Sequence, residues 1–366
     1  MRICGFLLYK YTDKLNSEVV QMKRIFNPAF QVAIVWIGTM IGAGFASGKE
    51  ILQFFGPPSE KGGTAIVFAT FLLILICRRI LTIGYNNGAE TLDDYLLATG
   101  GKFAKYIKYF MLAFMFCGMA VMFAGSGALF AQTFALPPVI GILCMGAICF
   151  FVFLFDAKGI IALNSILVPI MLAGLLYISI SSAMFESHET FFSFLTEGRK
   201  FPFLSAFCYV SYNTITLSAV LIPLCKNIDK RQIRTASIAG GCIIGLLILI
   251  LWTAMGMRYE HLWNSEIPMM HLAAINGKIC KNLYAVILFL SICTTAVSNG
   301  FGILADRPAK SLRTHTLHCA LLCLLALPFA LFGFSILVEN LYTFFGICGF
   351  LLCLTLLPRK KKRAVK

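Results

Sequence analysis

Between Phe30 and Phe55 the chain reads FQVAIVWIGTMIGAGFASGKEILQFF. It opens as an apolar helix of membrane-spanning character. Gly38, Gly42 and Gly44 then fall in its middle, followed by Ser47, Gly48, Lys49 and Glu50. Each interior glycine costs a helix roughly 1 kcal/mol relative to alanine. Lipid offers no hydrogen bonds to replace those of a broken helix, so backbone stays open at mid-membrane only where protein or a water-filled cavity satisfies it. The pattern predicts an inner half to about Met40, an unwound stretch near Ile41 to Gly44, and an outer half from about Phe45. Freed carbonyls can bind a cation, and the N-terminus of the outer half favours an anion. The competing reading is a kinked packing helix, since glycine is frequent where membrane helices touch.

The rest of the chain supports a membrane setting. Of 366 residues 59% are hydrophobic and only 13% charged, and the mean hydropathy is +0.85. Those values describe an all-α polytopic membrane protein. A span needs about 20 apolar residues. Ten stretches qualify: 30–55, 62–84, 106–134, 137–155, 158–184, 201–224, 235–256, 281–304, 315–333 and 335–357. Arg78 and Arg79 fit at the cytoplasmic end of the second, where long cationic side chains snorkel to the interface. With the N-terminus inside, 24 of the 31 Lys and Arg fall in inner segments. Only Lys49, Lys61, Arg199, Lys200, Arg258, Lys278 and Lys281 fall outside. That asymmetry predicts both termini on the cytoplasmic side of the membrane. The net charge of +15 is then mostly inside-facing anchoring, not a nucleic-acid footprint.

Residues 1–29 read as a cytoplasmic extension with no cleavable signal peptide, and 358–366 as a basic cytoplasmic tail. Thr91 and the residues after it suggest a short amphipathic helix at the inner surface. Residues 257–281 form either a lid over an outer opening or a plain packing loop. The 14 cysteines lie mostly inside apolar segments and imply no oxidised pair.

Ten spans divide into five (30–184) and five (201–357), joined by an outer loop at 185–200. An odd number per half inverts the topology of the second. Each half opens on an unusual span. The sixth, FPFLSAFCYVSYNTITLSAVLIPL, carries Ser205, Tyr209, Ser211, Tyr212, Asn213, Thr214, Thr216 and Ser218. Such polarity in a span is costly unless it lines a cavity. Asn213 and Pro223 are the markers for a break in it. Inverted repeats with broken first helices bind substrate and ions at the midplane.

The stretch GTMIGAGFASGKEILQFF resembles the first span of the YkvI-like bacterial membrane proteins, a group classed as amino acid permeases. YVSYN, the EIPM loop and ICTTAVSNGFG extend the resemblance over residues 26–357. The G-T-x-x-G-A-G core is similar to that of aromatic amino acid permeases. The resemblance implies the LeuT fold: ten transmembrane helices in a 5+5 inverted repeat, with broken first and sixth helices. It also implies a sodium site made by the carbonyls of Gly38, Ile41 and Ser291 and the hydroxyls of Thr294 and Thr295. Independently, Ser291, Thr294, Thr295 and Ser298 follow i, i+3, i+4, i+7 and share one helix face. The alternative for them is bonding to their own preceding carbonyls and packing. Proton-coupled relatives place a Lys of the fifth span near this position. Here that span has Asn164 and Ser165 inside and Lys158 at its edge. A substrate carboxylate is expected against Gly42, Ala43, Gly44 and Phe45. Tyr209, Ser211 and Asn213 close the other side. Glu50, an acid inside the first span, serves coupling, pairs with Lys49, or sits in an outer vestibule.

An enzyme is not expected. Of the five histidines, His315 and His318 share a helix face, but no acidic group joins them as ligand or general base, and no phosphate-cradling Gly-Lys-Ser/Thr loop is present. The expected activity is secondary active, sodium-coupled uptake of an amino acid or similar small zwitterion. A ligand-sensing, non-transporting receptor subunit on the same fold is the alternative. The expected partners are the substrate and the lipid bilayer, with no cofactor beyond the coupling sodium ion.

Overall fold

The computed structural model describes residues 27–89, 92–154, 158–184, 200–256, 262–306 and 311–355. Among these there are helices and no strands. The first expected span is three pieces: α1 (Pro28–Met40), α2 (Ala43–Ser47) and α3 (Lys49–Phe55). The second is α4 (Glu60–Asn87), followed by the short α5 (Leu92–Gly100). Then come α6 (Ala104–Phe134), α7 (Pro138–Leu154) and α8 (Lys158–Met184). The second half holds α9 (Pro202–Leu221), α10 (Lys230–Gly256), the short α11 (Pro268–Ile275), α12 (Lys278–Asp306) and α13 (Leu312–Ala330). It ends with α14 (Phe334–Leu337), a π turn (Val338–Tyr342) and α15 (Thr343–Thr355).

Among the described residues six helices are long and apolar enough to cross a membrane: Glu60–Asn87, Ala104–Phe134, Pro202–Leu221, Lys230–Gly256, Lys278–Leu304 and Leu312–Ala330. The other expected spans coincide with shorter apolar helices at Pro28–Met40, Pro138–Leu154, Leu167–Ala183 and Phe334–Phe350. The protein is a multi-pass membrane protein. The helix starts follow local chemistry. Asn27 Oδ1 accepts the Ala29 N–H at 3.1 Å with Pro28 at the first helical position, and Ser59 Oγ accepts the Gly62 N–H at 3.0 Å. The amphipathic helix expected after Thr91 is α5; Thr91 itself lies outside the described residues. So do most of the N-terminal extension, nearly all of the 185–200 loop, the start of the 257–281 loop and the basic tail. The side chains of Lys158, Asn164 and Ser165 are likewise not described.

The contacts repeat between the halves. The first span packs on α10 as α9 packs on α4, and α6 packs on α13 as α12 packs on α7. This is the pattern an inverted repeat produces. The first span breaks where expected. The sixth is regular from Pro202 to Leu221 and tightens to a 3-10 turn only at Ile222–Asn227, next to Pro223. Asn213 does not open it: its Nδ2 donates to the Tyr209 carbonyl at 2.9 Å. The Thr214 and Ser218 hydroxyls bond the carbonyls of Val210 and Thr214 at 2.8 and 2.7 Å. Polar side chains satisfied by i−4 carbonyls sit in a helix without breaking its ladder.

Small residues let the helices approach. A Cβ on Gly240 of α10 would lie 2.1 Å from Trp36 Cε3 of α1, and one on Gly141 of α7 only 2.5 Å from the Ser126 carbonyl of α6. Without a hydrophobic drive between helices in lipid, such close packing supplies association. Gly240→Ala is expected to lower stability by about 1–3 kcal/mol, the usual cost of overpacking. Gly174→Ala, whose Cβ would meet nothing within 4 Å, is expected to lower it little or not at all. Thermal unfolding of the two purified variants in one detergent compares them directly.

Candidate functional site

The site is built around the break in the first span. After Met40 the chain leaves the helix at Ile41 (φ −83°, ψ 65°) and runs extended through Gly42 (φ −84°, ψ −179°) before α2 begins. The carbonyls of Gly38, Thr39, Met40 and Ile41 receive no helical N–H, and the N–H groups of Gly42 to Phe45 reach no helical carbonyl. Free acceptors thus end one half and free donors begin the next. Gly42 borders open space, since a Cβ there would meet nothing within 4 Å. A second interruption, which the sequence reading did not separate from the first, falls at Gly48. Its φ of +80° is in the left-handed region that favours glycine.

The expected hydroxyl ligands lie on α12, which packs against α2. Ser291 and Thr294 are buried, Thr295 is half-buried and Ser298 is exposed. Thr294 Oγ1 donates to the Ser291 carbonyl at 3.1 Å. Its lone pairs stay free to face a cation. No bond joins the Ser291 and Thr295 hydroxyls to another protein group in the described residues. Contacts join the elements that carry the expected ion ligands, not the ligands themselves. The Tyr284 hydroxyl on α12 donates to the Ala46 carbonyl on α2. A Cβ on Gly38 would lie 3.5 Å from Val168 on α8, which packs against α12.

The expected substrate residues are dispersed. Gly42, Ala43 and Phe45 are at the break, with Ala43 and Phe45 buried. Gly44 faces inward to Glu50: a Cβ on it would lie 1.8 Å from Glu50 Oε1. On α9, Tyr209 packs edge-on against Phe54 and Phe55 of α3, with ring centroids 5.5 and 5.3 Å apart. Its hydroxyl is buried without a hydrogen-bond partner among the described residues. Ser211 turns to α15, where Cys353 Sγ reaches its Oγ at 3.8 Å and Gly349 makes room for its backbone. Asn213 bonds its own helix. Of this trio, Tyr209 makes ring contacts with the first span.

Its partner there is Tyr212, one turn further along the same face. The Tyr212 hydroxyl donates to Glu50 Oε2 at 2.5 Å. The ring is stacked between Phe54 (centroids 5.4 Å) and Tyr342 of the π turn (5.0 Å). π turns are frequent at functional sites. Glu50 is 7% exposed. Lys49 does not pair with it. Its Nζ donates to the carbonyls of Trp263 and Ser265, each at 3.1 Å, and so ties the outer loop to α3. That loop is held further by Gln132 Nε2 donating to Ser265 Oγ at 3.3 Å, and by Glu266 Oε2 accepting the Ser335 N–H at 2.6 Å. The i, i+3 spacing of Tyr209 and Tyr212 was the sequence signal for this cluster.

No protein-family model matches the chain. It is 32% identical over 334 residues to the uncharacterised protein YyaD of Bacillus subtilis, covering 88% of this chain and 94% of that one. It is 23% identical over 347 residues to the uncharacterised membrane protein YkvI of the same organism, covering 93% and 99%. Among solved structures it is similar to MhsT in complex with L-phenylalanine (TM-score 0.63, 15% identity, 87% of this chain and 86% of that one). A Na+-coupled sialic acid symporter gives a TM-score of 0.59 at 12% identity, covering 88% and 76%. The inward-facing conformation of Mhp1 gives 0.58 at 15%, covering 90% and 74%. These neighbours are transporters, not enzymes, and they share the LeuT fold. The chain belongs to the family of YyaD and YkvI, and it is a LeuT-fold member of that family.

Proposed function

We propose that this protein is a secondary active transporter that takes up an amino acid or similar small zwitterion together with sodium, by alternating access in a bacterial plasma membrane. Both termini lie in the cytoplasm. The observation that carries this reading is the break at Ile41–Gly42: among the described residues, the carbonyls of Gly38 to Ile41 and then the N–H groups of Gly42 to Phe45 have no partner in the helical ladder, beside open space at Gly42. Broken helices at midplane hold substrates and coupling ions in this way. Sodium takes oxygen ligands from the Gly38 and Ile41 carbonyls and from Ser291, Thr294 and Thr295. The substrate carboxylate sits at Gly42, Ala43, Gly44 and Phe45, with Tyr209 closing one side; Ser211 and Asn213 act through the packing of α9. The L-phenylalanine bound by MhsT and the Na+ coupling of the sialic acid symporter support this substrate class and this ion.

The test is counterflow uptake in proteoliposomes with pooled labelled amino acids, with and without sodium at fixed pH. Sodium-stimulated accumulation of one pool is expected. No uptake, with amino-acid-dependent thermal stabilisation, would instead support a ligand-sensing receptor. Thr294→Ala combined with Thr295→Ala is expected to raise the sodium concentration for half-activation about tenfold, equivalent to about 1.4 kcal/mol. Unchanged sodium activation removes these hydroxyls from the ion site.

Gly42→Ala separates the site from the fold. Its backbone is open to any residue and its Cβ meets no atom. Stability is expected to hold or rise by about 0.4–1 kcal/mol. The added methyl enters the open space, and half-saturation for substrate is expected to rise several-fold. Uptake kinetics and thermal unfolding on the same preparation check both parts.

A further inference from the structure

Glu50 is a buried acid that the sodium site proposed at α12 leaves unused. Tyr212 donates to its Oε2, and its Oε1 is pressed on Gly44. No Lys, Arg or His pairs with it among the described residues, whose ion pairs are those of Lys108 with Asp93 and Asp306. Lys49 is turned to the outer loop, in the field of Glu266 and Glu339. The other titratable groups around Glu50 are Tyr209 and Tyr212 from α9 and Tyr342 from the π turn. α2 offers only Ala43–Ser47, with no titratable side chain. α10 meets the two ends of α3 with Met255, against Gly48, and Trp252, bonded to the Gly56 carbonyl. Glu60 and Lys61, at the start of α4, are exposed.

A carboxylate taken out of water without a countercharge is strongly disfavoured. A countercharge or a proton must neutralise it. The side chains packed on the carboxyl are aromatic or small: Tyr212, itself stacked with Phe54 and Tyr342, and Gly44. None of them is cationic, and a proton on the carboxyl removes the charge without any other group.

We propose that Glu50 is a proton-binding site. Its carboxylate takes a proton from water when α3 is open to solvent, and keeps it in the packed arrangement described here. The carboxyl sits on α3, touches α2 through Gly44 and is bonded to α9 through Tyr212, beside the left-handed residue Gly48 that joins α2 to α3. Loss of the proton leaves a bare charge among these elements and favours separation of α3 from α9. Proton binding is thereby tied to the movement of the broken span. That use in a cycle rests on the transport reading; the site itself does not.

Infrared spectroscopy of the full chain in lipid nanodiscs, titrated over about pH 5–9, reads the site without any substrate. A protonated-carboxyl C=O band is expected near neutral pH, lost in Glu50→Gln and shifted in frequency in Tyr212→Phe, which removes the hydrogen-bond donor. A Glu50→Gln spectrum that matches the wild type at every pH overturns the proposal. If Glu50→Gln does not fold, an unshifted band in Tyr212→Phe overturns it equally. A preparation without amino acid uptake can still show the band, and one with sodium-stimulated uptake can still lack it. The two readings therefore fail separately.

Discussion

Hydrogen bonding of the backbone governs this structure. In the middle of a bilayer an open carbonyl or N–H has no water to turn to, and each costs several kcal/mol if unsatisfied. The chain pays this cost at one place in the described part of its first span, from Gly38 to Phe45. The remainder of the packing holds that place open. Tyr284 bonds the Ala46 carbonyl on one side, Trp36 fills the notch at Gly240 on another, and Ser205 donates to the Phe54 carbonyl at 2.6 Å where the outer half ends. An irregular segment clamped at both ends keeps its shape without being a helix.

Two kinds of information were unequally readable from the residues. The spans were legible because hydropathy over 20 residues is a local property, and α4, α6, α10 and α12 lie close to where the apolar runs put them. The break was legible because its cause is local too: glycines at Gly42 and Gly44 and a helical pattern on either side. The second interruption at Gly48 was harder to read, since a glycine four residues beyond another looks like part of one weak stretch. Asn213 misled in the other direction. An amide in a span signals a break only if it cannot reach the i−4 carbonyl, and here it does.

Pairing across the chain was not legible. Glu50 and Tyr212 are 162 residues apart, and no local pattern says that a carboxyl on one helix will meet a phenol on another. The separate signals existed, as an acid next to glycines and as two tyrosines one turn apart. Only the packing of α3 against α9 joins them. Likewise, Ser211 shares its stretch with Tyr209 and Tyr212 but points to α15, because at about 3.6 residues per turn it is turned about 200° from Tyr209 and about 100° from Tyr212. Polarity of a stretch reveals that a helix is special before it reveals which side is.

The bonds from Lys49 to the Trp263 and Ser265 carbonyls have an optical consequence. The chain has three tryptophans. Trp36 and Trp252 are locked in contacts between helices, whereas Trp263 is 36% exposed and lies 5.9 Å from the Lys49 ammonium, on the loop that this side chain holds. A cation over an indole and the polarity around it both alter indole emission. Trp263 is thus a native fluorophore attached to the first span at the start of α3. Its emission would follow that span's excursions in unlabelled protein, against a steady background from the other two.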